Sequence, residues 1–181
     1  PYRSSAGLRE FTTTGNMRDQ YAALKNLVNS DTDLGRVFAT EALDGFYKQW
    51  RHEPLGVDQW FAVQATSQLS GVLGRVKQLL HHECFEIRNP NKVRSLIGAF
   101  CGQNHVAFHA AAGDGYEFLA DQVLSLDKLN PQIASRLLTP LTRWRKFDEK
   151  RQALMQVQLQ RIKATADISR DVFEIVEKST V

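Results

Sequence analysis

The stretch Asn89-Pro90-Asn91-Lys92-Val93-Arg94-Ser95-Leu96-Ile97-Gly98-Ala99-Phe100 carries three signals of a helix and decides the fold of the chain. Asn89 or Asn91 can cap the helix, and Pro90 presets the turn by which the chain enters it. Apolar residues recur at positions i, i+3, i+4 and i+7, which together form one face of a helix: Val93, Leu96, Ile97 and Phe100. Arg94 lies about 60° beyond the edge of this face, so we expect its guanidinium at the boundary between core and solvent.

A second segment repeats this pattern, Asn130-Pro131-Gln132-Ile133-Ala134-Ser135-Arg136-Leu137-Leu138. The two Asn-Pro pairs are 41 residues apart, and helix starts that recur every 40 to 47 residues or so are typical of stacked helix-pair repeats. Gln132 and Arg136 are four residues apart and therefore project from the same helix face. From spacing alone, the simpler interpretation of Arg94 and Arg136 is a solvated or carboxylate-paired helix edge.

The whole chain reads as a series of helices. No window alternates with period two for long, and β-branched residues do not cluster, so no strand is predicted. At 181 residues, with 43% hydrophobic and 24% charged residues, the chain suits a globular domain with its own core. Eight or nine helices with short connections predict an all-α fold, an α-α superhelix of antiparallel helix pairs in the manner of a HEAT or armadillo solenoid.

Two regions are predicted along the chain. Residues 1–15 are rich in Ser, Thr and Gly and predict a linker or an extended arm, whereas residues 16–181 predict the helical domain. Within that domain, residues 101–115 predict a Gly-rich loop. We expect helices to begin near Asn16, Asp31 to Asp33, Asp58, Asp114 as a cap, and Ser169 as the cap of the last helix.

Two segments begin like the zinc signature H-E-x-x-H but lack its second histidine. His82-Glu83-Cys84-Phe85-Glu86 has a glutamate where that ligand must lie, and His52-Glu53-Pro54-Leu55-Gly56 fails in the same way. The other histidines, including His105 and His109, have no consistent ligand spacing. A structural or surface role is the favoured interpretation, and the sequence predicts neither a metal site nor a catalytic residue.

The cysteines, the apolar runs and the charge indicate in which cellular compartment the protein works and which classes of partner it can bind. Cys84 and Cys101 have no C-x-x-C or zinc-ribbon spacing, which favours free thiols and a cytoplasmic protein. No apolar run approaches 18 residues, so no membrane span is predicted. Basic residues concentrate in the C-terminal third, but Asp148 and Glu149 interrupt them and aromatic residues do not interleave. A solvated helix face is therefore favoured over a nucleic-acid surface, although the net charge of +3 would tolerate an acidic partner.

Four segments, taken in order, resemble one family. They are Val57-Asp58-Gln59-Trp60-Phe61 with Gln64-Ala65-Thr66-Ser67, the stretch 89–100, Phe108-His109 before Gly113-Asp114-Gly115-Tyr116, and the stretch 130–137. Together they resemble the C-terminal helical domain of bacterial-type aminopeptidase N, a family of zinc-dependent metalloaminopeptidases. The similarity runs from about Asn16 to the end, and it departs at Ala111-Ala112-Gly113, where a more acidic stretch is expected.

This resemblance implies that the chain is a fragment of a larger enzyme that removes N-terminal residues from peptides. In the family, the zinc, its ligands and the transition-state tyrosine lie in an upstream catalytic domain. The fragment alone should therefore contain no zinc and no catalytic residue, and it should be inactive. The implied partners are the upstream catalytic domains of the same chain, which the C-terminal superhelix closes over to form a chamber, and peptide substrates.

The resemblance also implies roles for three residues. Gln132 resembles a contributor to the pocket for the N-terminal side chain of the substrate, and Arg94 and Arg136 resemble the arginines that face the chamber beyond that pocket. An arginine at a boundary can donate to peptide carbonyls or a carboxylate without deep desolvation. Two alternatives stay open: a helical-repeat scaffold that binds protein partners, and a solenoid that binds RNA.

Overall fold

The computed structural model describes residues 2–180, with side chains from Ala6 to Thr180. All regular secondary structure in this range is helical, which confirms the all-α class. No helix in the described range is long and apolar enough to cross a membrane. The sequence predicts a single domain over 16–181, whereas the internal contacts of the chain form two compact units, the first ending at Phe85 and the second beginning at Glu86.

Two helices of the first unit begin at capping side chains. The Asn16 side chain accepts a hydrogen bond from the Asp19 backbone N–H at 2.9 Å, and the Thr32 hydroxyl accepts one from Gly35 at 3.0 Å. The fourth helix begins before the predicted start near Asp58, because Pro54 occupies its first turn with a preset φ. The bounds are α1 (Tyr2–Thr13), α2 (Met17–Leu27), α3 (Asp33–Trp50), α4 (Pro54–Ala65) and α5 (Val72–Leu79).

Helix α1 corrects the prediction that residues 1–15 form a linker or extended arm. The local sequence is rich in Ser, Thr and Gly, but α1 gains stability from packing rather than from helix propensity. Phe11 is buried against Gly45 of α3, and Gly7 lies against Leu27 of α2. Pro1, the first residue of the expected arm, lies outside the described residues.

The second unit contains the two helices that begin with Asn-Pro. The Asn89 side chain accepts a hydrogen bond from the Asn91 N–H at 3.0 Å, and the Asn130 side chain accepts one from the Ile133 N–H at 3.2 Å. The bounds are α6 (Pro90–Val93), a π-helical turn (Arg94–Gly98), α7 (Ala99–Gln103), α8 (His105–Phe108), α9 (Asp114–Asp127), α10 (Pro131–Leu137), α11 (Thr139–Thr142), a 3-10 turn (Trp144–Lys146), α12 (Glu149–Lys163) and α13 (Arg170–Thr180).

The predicted apolar face of the stretch 89–100 forms part of the core of the second unit. All four of its residues are at most 1% exposed, which confirms the helix and the orientation of its face. The sequence did not predict the π-helical turn, in which the Ala99 N–H donates to the carbonyl of Arg94, five residues earlier. Ala99 and Cys101 are buried as well, so the buried face is broader than a regular stripe of apolar residues predicts.

The segment 101–115 is more helical than the predicted Gly-rich loop. Helix α8 begins where the Asn104 side chain accepts a hydrogen bond from the Ala107 N–H at 3.1 Å, and the buried ring of Phe108 anchors it. Gly113, with φ of 81°, occupies the cap position of α9, so Asp114 is the first helical residue and not the cap. The predicted cap at Ser169 is confirmed, because its Oγ accepts the Val172 N–H at 3.3 Å.

Candidate functional site

The three residues singled out from the sequence line one cleft of the second unit. This cleft, which we call the Arg94 cleft, has a volume of about 450 Å³. It lies between the start of the stretch 89–100 and helix α10, the two segments that share the Asn-Pro pattern. Its lining is Pro90, Val93, Arg94, Gly98, Asn130, Gln132, Ile133, Arg136 and Leu137.

Helix geometry explains how the polar residues reach the cleft. The Asn130 cap and Pro131 in the first turn fix the start of α10, and Gln132 and Arg136 then follow on one face. The buried side chains of Val93 and Leu137 form apolar parts of the wall. The cleft therefore combines an apolar wall with an amide and two guanidiniums, which is the composition expected of a site that holds a small polar ligand.

The polar groups of the Arg94 cleft are largely free to accept a ligand. Arg94 Nη1 donates to Asn91 Oδ1 at 3.3 Å, a bond within its own helix. Among the described residues, the side chains of Gln132 and Arg136 make no hydrogen bond or ion pair, and all three predicted residues are exposed. The expectation that Arg94 lies at a helix edge agrees with this placement, and the lining of the cleft contains no acidic residue to neutralise the arginines.

The π-helical turn lies on the wall of this cleft. Arg94 opens the turn and Gly98 closes it, and both line the cleft. Turns of this kind inside α-helices are frequent at functional sites, because the additional residue redirects neighbouring side chains. Spacing arguments assume 3.6 residues per turn throughout, so they could not find this feature.

His82 and Glu83, from the near match to the zinc signature, have structural roles in the first unit. The His82 ring packs edge-on against Tyr47, with ring centroids 5.3 Å apart, and its Nδ1 accepts the Cys84 N–H at 3.2 Å. The Tyr47 hydroxyl donates to Glu83 Oε1 at 2.8 Å. In the described range, no group of three or more His, Cys, Asp and Glu side chains could hold a metal ion, so these residues do not fit a zinc site.

A second cluster of polar and aromatic groups surrounds His109 in the second unit. The His109 ring stacks on Phe147 with ring centroids 4.1 Å apart, and its Nδ1 lies 2.8 Å from the Tyr116 hydroxyl. Arg151 Nε donates to the His109 carbonyl at 2.8 Å. Burial, and next electrostatic repulsion from the neighbouring His105 and Arg151, lower the pKa of His109 to about 4. His109 is therefore neutral near pH 7.

We expect the stability of the second unit to fall as the pH is lowered from about 6.5 to 4. His109 has a pKa of about 4 when folded and an ordinary value of 6.5, so the unfolded chain binds more protons in this window. The neutral ring contributes its full stabilisation above pH 6.5 and loses it towards pH 4. Urea titrations at half-unit pH steps measure the free energy of unfolding of the natural sequence and of His109→Gln. The titrating carboxylates contribute equally to both proteins, so the difference between the two pH profiles reports on His109. Identical pH profiles would contradict the assignment.

Comparison with known proteins identifies the family. The family described as "Domain of unknown function (DUF3458_C) ARM repeats" matches residues 2–181. The chain belongs to this family. Its armadillo repeats confirm the repeat class predicted from the sequence, and the resemblance to the C-terminal domain of bacterial-type aminopeptidase N is confirmed by the relatives that follow.

Two curated relatives carry the name Aminopeptidase N. This member of the ARM-repeat family is 39% identical over 171 residues to the protein of Haemophilus influenzae and 40% identical over 171 residues to that of Escherichia coli K12. Each alignment covers 94% of this chain but 19% of the relative. The chain thus spans about a fifth of the length of the relatives that it matches.

A solved structure shows the same fold. The crystal structure of Legionella pneumophila aminopeptidase A in complex with aspartic acid aligns with a TM-score of 0.90 and 35% sequence identity. The alignment covers 98% of this chain and 20% of that protein. The similarity therefore extends over nearly all of the helices described above.

Proposed function

We propose that this chain is the non-catalytic C-terminal helical domain of a zinc-dependent aminopeptidase N. In the intact protein it closes over the active-site chamber and shapes which peptides enter, with the Arg94 cleft facing the chamber. Its partners are the upstream catalytic domains of the same chain and the peptide substrates, and its location is the cytoplasm. Residues 16–181 form the body of this domain, preceded by α1.

One observation carries the proposal: Arg94, Gln132 and Arg136 line a single cleft and have free polar groups. These residues are 38 and 42 positions apart along the chain, since Arg94 precedes Gln132 and Arg136 by those numbers. A cleft of about 450 Å³ accommodates a few amino-acid residues rather than a folded partner. Guanidinium and amide groups are suited to the carbonyls and carboxylate of a peptide.

The relatives support a peptide as the ligand. Two relatives at 39% and 40% identity are named as aminopeptidases, and the solved structure at 35% identity holds aspartic acid, an amino acid. Transferring that activity to this chain is part of the proposal, because the chain covers about a fifth of each relative. The proposal assigns the zinc chemistry to the remaining part of the enzyme. It is supported by the described residues, among which no group of three or more His, Cys, Asp and Glu side chains could hold a metal ion.

In the intact enzyme, Arg136→Ala is expected to lower kcat/KM. The loss of transition-state stabilisation should be about 1–3 kcal/mol, the scale of losing a charge-assisted hydrogen bond. The melting temperature should change little, because the Arg136 side chain has no partner among the described residues. Steady-state kinetics on a short peptide, read beside melting curves, measures both. A lower melting temperature with unchanged kcat/KM would instead indicate a structural arginine.

Gln132→Ala is expected to redistribute the preference among N-terminal residues while leaving the chemical step intact, because a pocket wall discriminates side chains without taking part in bond cleavage. A panel of peptides that differ only in the first residue measures this preference as ratios of kcat/KM. The matched control is Gln160→Ala, an exposed glutamine on α12 that does not line the cleft. Unchanged specificity and unchanged kcat/KM in the Arg94, Gln132 and Arg136 variants would overturn the proposal.

A further inference from the structure

A second cleft lies next to the Arg94 cleft in the same unit. It has a volume of about 350 Å³, and we call it the Arg143 cleft. The two clefts share Gly98, Arg136 and Leu137 as lining residues. Because a glycine and a single arginine form part of the shared wall, a ligand that fills one cleft can continue past Arg136 into the other.

The polar lining of the Arg143 cleft contains basic residues and no acidic ones. Arg136 and Arg143 contribute guanidiniums, His105 contributes an imidazole, and the lining contains no aspartate or glutamate. Among the described residues, neither guanidinium makes a hydrogen bond or an ion pair, and both arginines are exposed. The nearest acidic residue in sequence, Asp148, is engaged elsewhere, because its Oδ2 lies 2.6 Å from Arg151 Nη1.

The remaining titratable groups of the lining are neutral near pH 7. His109 stacks on Phe147 and has a pKa of about 4. Burial raises the pKa of the Cys101 thiol, so this group stays protonated. Neither group adds negative charge beside the arginines, and Phe147, Leu137 and Pro140 supply an apolar wall.

We propose that Arg136 and Arg143 bind a carboxylate of a short peptide whose preceding residues lie in the Arg94 cleft. This inference rests on the proposed function, which supplies the peptide, and adds the chemistry that the peptide should carry at its far end. Two unpaired guanidiniums beside an apolar wall suit a planar carboxylate, which accepts paired N–H bonds from arginine. The carboxylate is either the C-terminus of the peptide or an Asp or Glu side chain.

Matched peptides distinguish the two sources in the intact enzyme. Tetra-alanine with a free C-terminus is compared with its C-terminal amide, and an amidated peptide ending in glutamate is compared with one ending in glutamine. The carboxylate-bearing member of one pair should have a kcat/KM about tenfold higher, mainly through KM, which corresponds to one charge-assisted hydrogen bond. The pair that shows the advantage identifies the source, and no advantage in either pair would overturn the proposal.

Substitutions then assign the effect to the cleft. Arg143→Gln should reduce the ratio of kcat/KM between the carboxylate-bearing and the neutral peptide to about one. Arg143→Lys should retain part of this ratio, because the charge remains. The control is Arg170→Gln, which removes the same charge at an exposed position on α13, outside both clefts. An advantage that survives Arg143→Gln would overturn the proposal, and so would one that Arg170→Gln reduces equally.

A binding measurement separates this inference from the proposed function. N-acetyl-trialanine and its amide are titrated into the intact protein by calorimetry, because binding needs no hydrolysis. If the protein cleaves no peptide but binds the acid about tenfold more tightly than the amide in an Arg143-dependent manner, the proposed function fails and the carboxylate site stands. If it cleaves peptides but binds acid and amide equally, the carboxylate site fails alone.

Discussion

Replacing Phe100 by alanine is expected to lower the free energy of unfolding of the second unit by roughly 3–5 kcal/mol, the range for deleting a buried aromatic ring. The Phe100 side chain is fully buried. Its ring makes T-shaped contacts with the rings of Phe108 and Phe118, with centroids 6.1 and 5.7 Å apart. These ring contacts stabilise the unit beyond the effect of burying apolar area. Without the ring a cavity remains, and the close-packed neighbouring side chains can fill it only in part.

Tryptophan fluorescence measures this loss in the correct unit. The chain has three tryptophans, and in a background of Trp50→Phe and Trp60→Phe the remaining Trp144 reports on the second unit during urea unfolding. Val106→Ala is the control, because Val106 lies nearby in sequence but is 66% exposed, and it should change the free energy by less than about 0.5 kcal/mol. A loss below about 1 kcal/mol for Phe100→Ala would show that this ring is not central to the core.

Phe100 also shows what the sequence alone could predict. Apolar residues that recur every three or four positions lie on one side of a helix. That side faces the core, whichever element of the protein packs against it. Caps are equally local, so Asn16, Asn130 and Ser169 were found where the structure has them. The same logic placed Gln132 and Arg136 on one face of α10.

Features that depend on distant parts of the chain could not be predicted in this way. Helix α1 was missed because its stability comes from Phe11 packing against α3, a contact that no local pattern reveals. Arg143 belongs to the basic C-terminal third, for which the sequence favours a solvated helix face. That Arg143 lines a cleft with Arg136 is visible only in the structure. The resemblance to a family implies the roles expected of the three residues of the Arg94 cleft, whereas their common cleft is visible only in the structure.

Gly115→Ala is expected to lower the free energy of unfolding of the second unit by about 3 kcal/mol, at the upper end of overpacking costs. A Cβ at Gly115 would lie 2.4 Å from the Phe108 carbonyl oxygen and 3.0 Å from its carbonyl carbon and Cα. These are backbone atoms, so no side-chain rotation relieves the clash, and α8 must move away from α9. Inside a helix, alanine is otherwise more stabilising than glycine by about 0.5–1 kcal/mol. Helix propensity alone would therefore predict a more stable protein, whereas the clash predicts a less stable one.

The same fluorescence titration measures the effect, with Gly102→Ala as the matched control. Gly102 lies in α7, and a Cβ there meets no atom within 4 Å, so this variant should be neutral or up to about 1 kcal/mol more stable. Because His109 directly follows α8, a displaced α8 should also break the contact between His109 Nδ1 and the Tyr116 hydroxyl and return the pKa of His109 towards 6.5. NMR titration of the His109 ring tests this second consequence. Equal stability of the two glycine variants, with an unchanged His109 pKa, would show that α8 and α9 are not held in close contact.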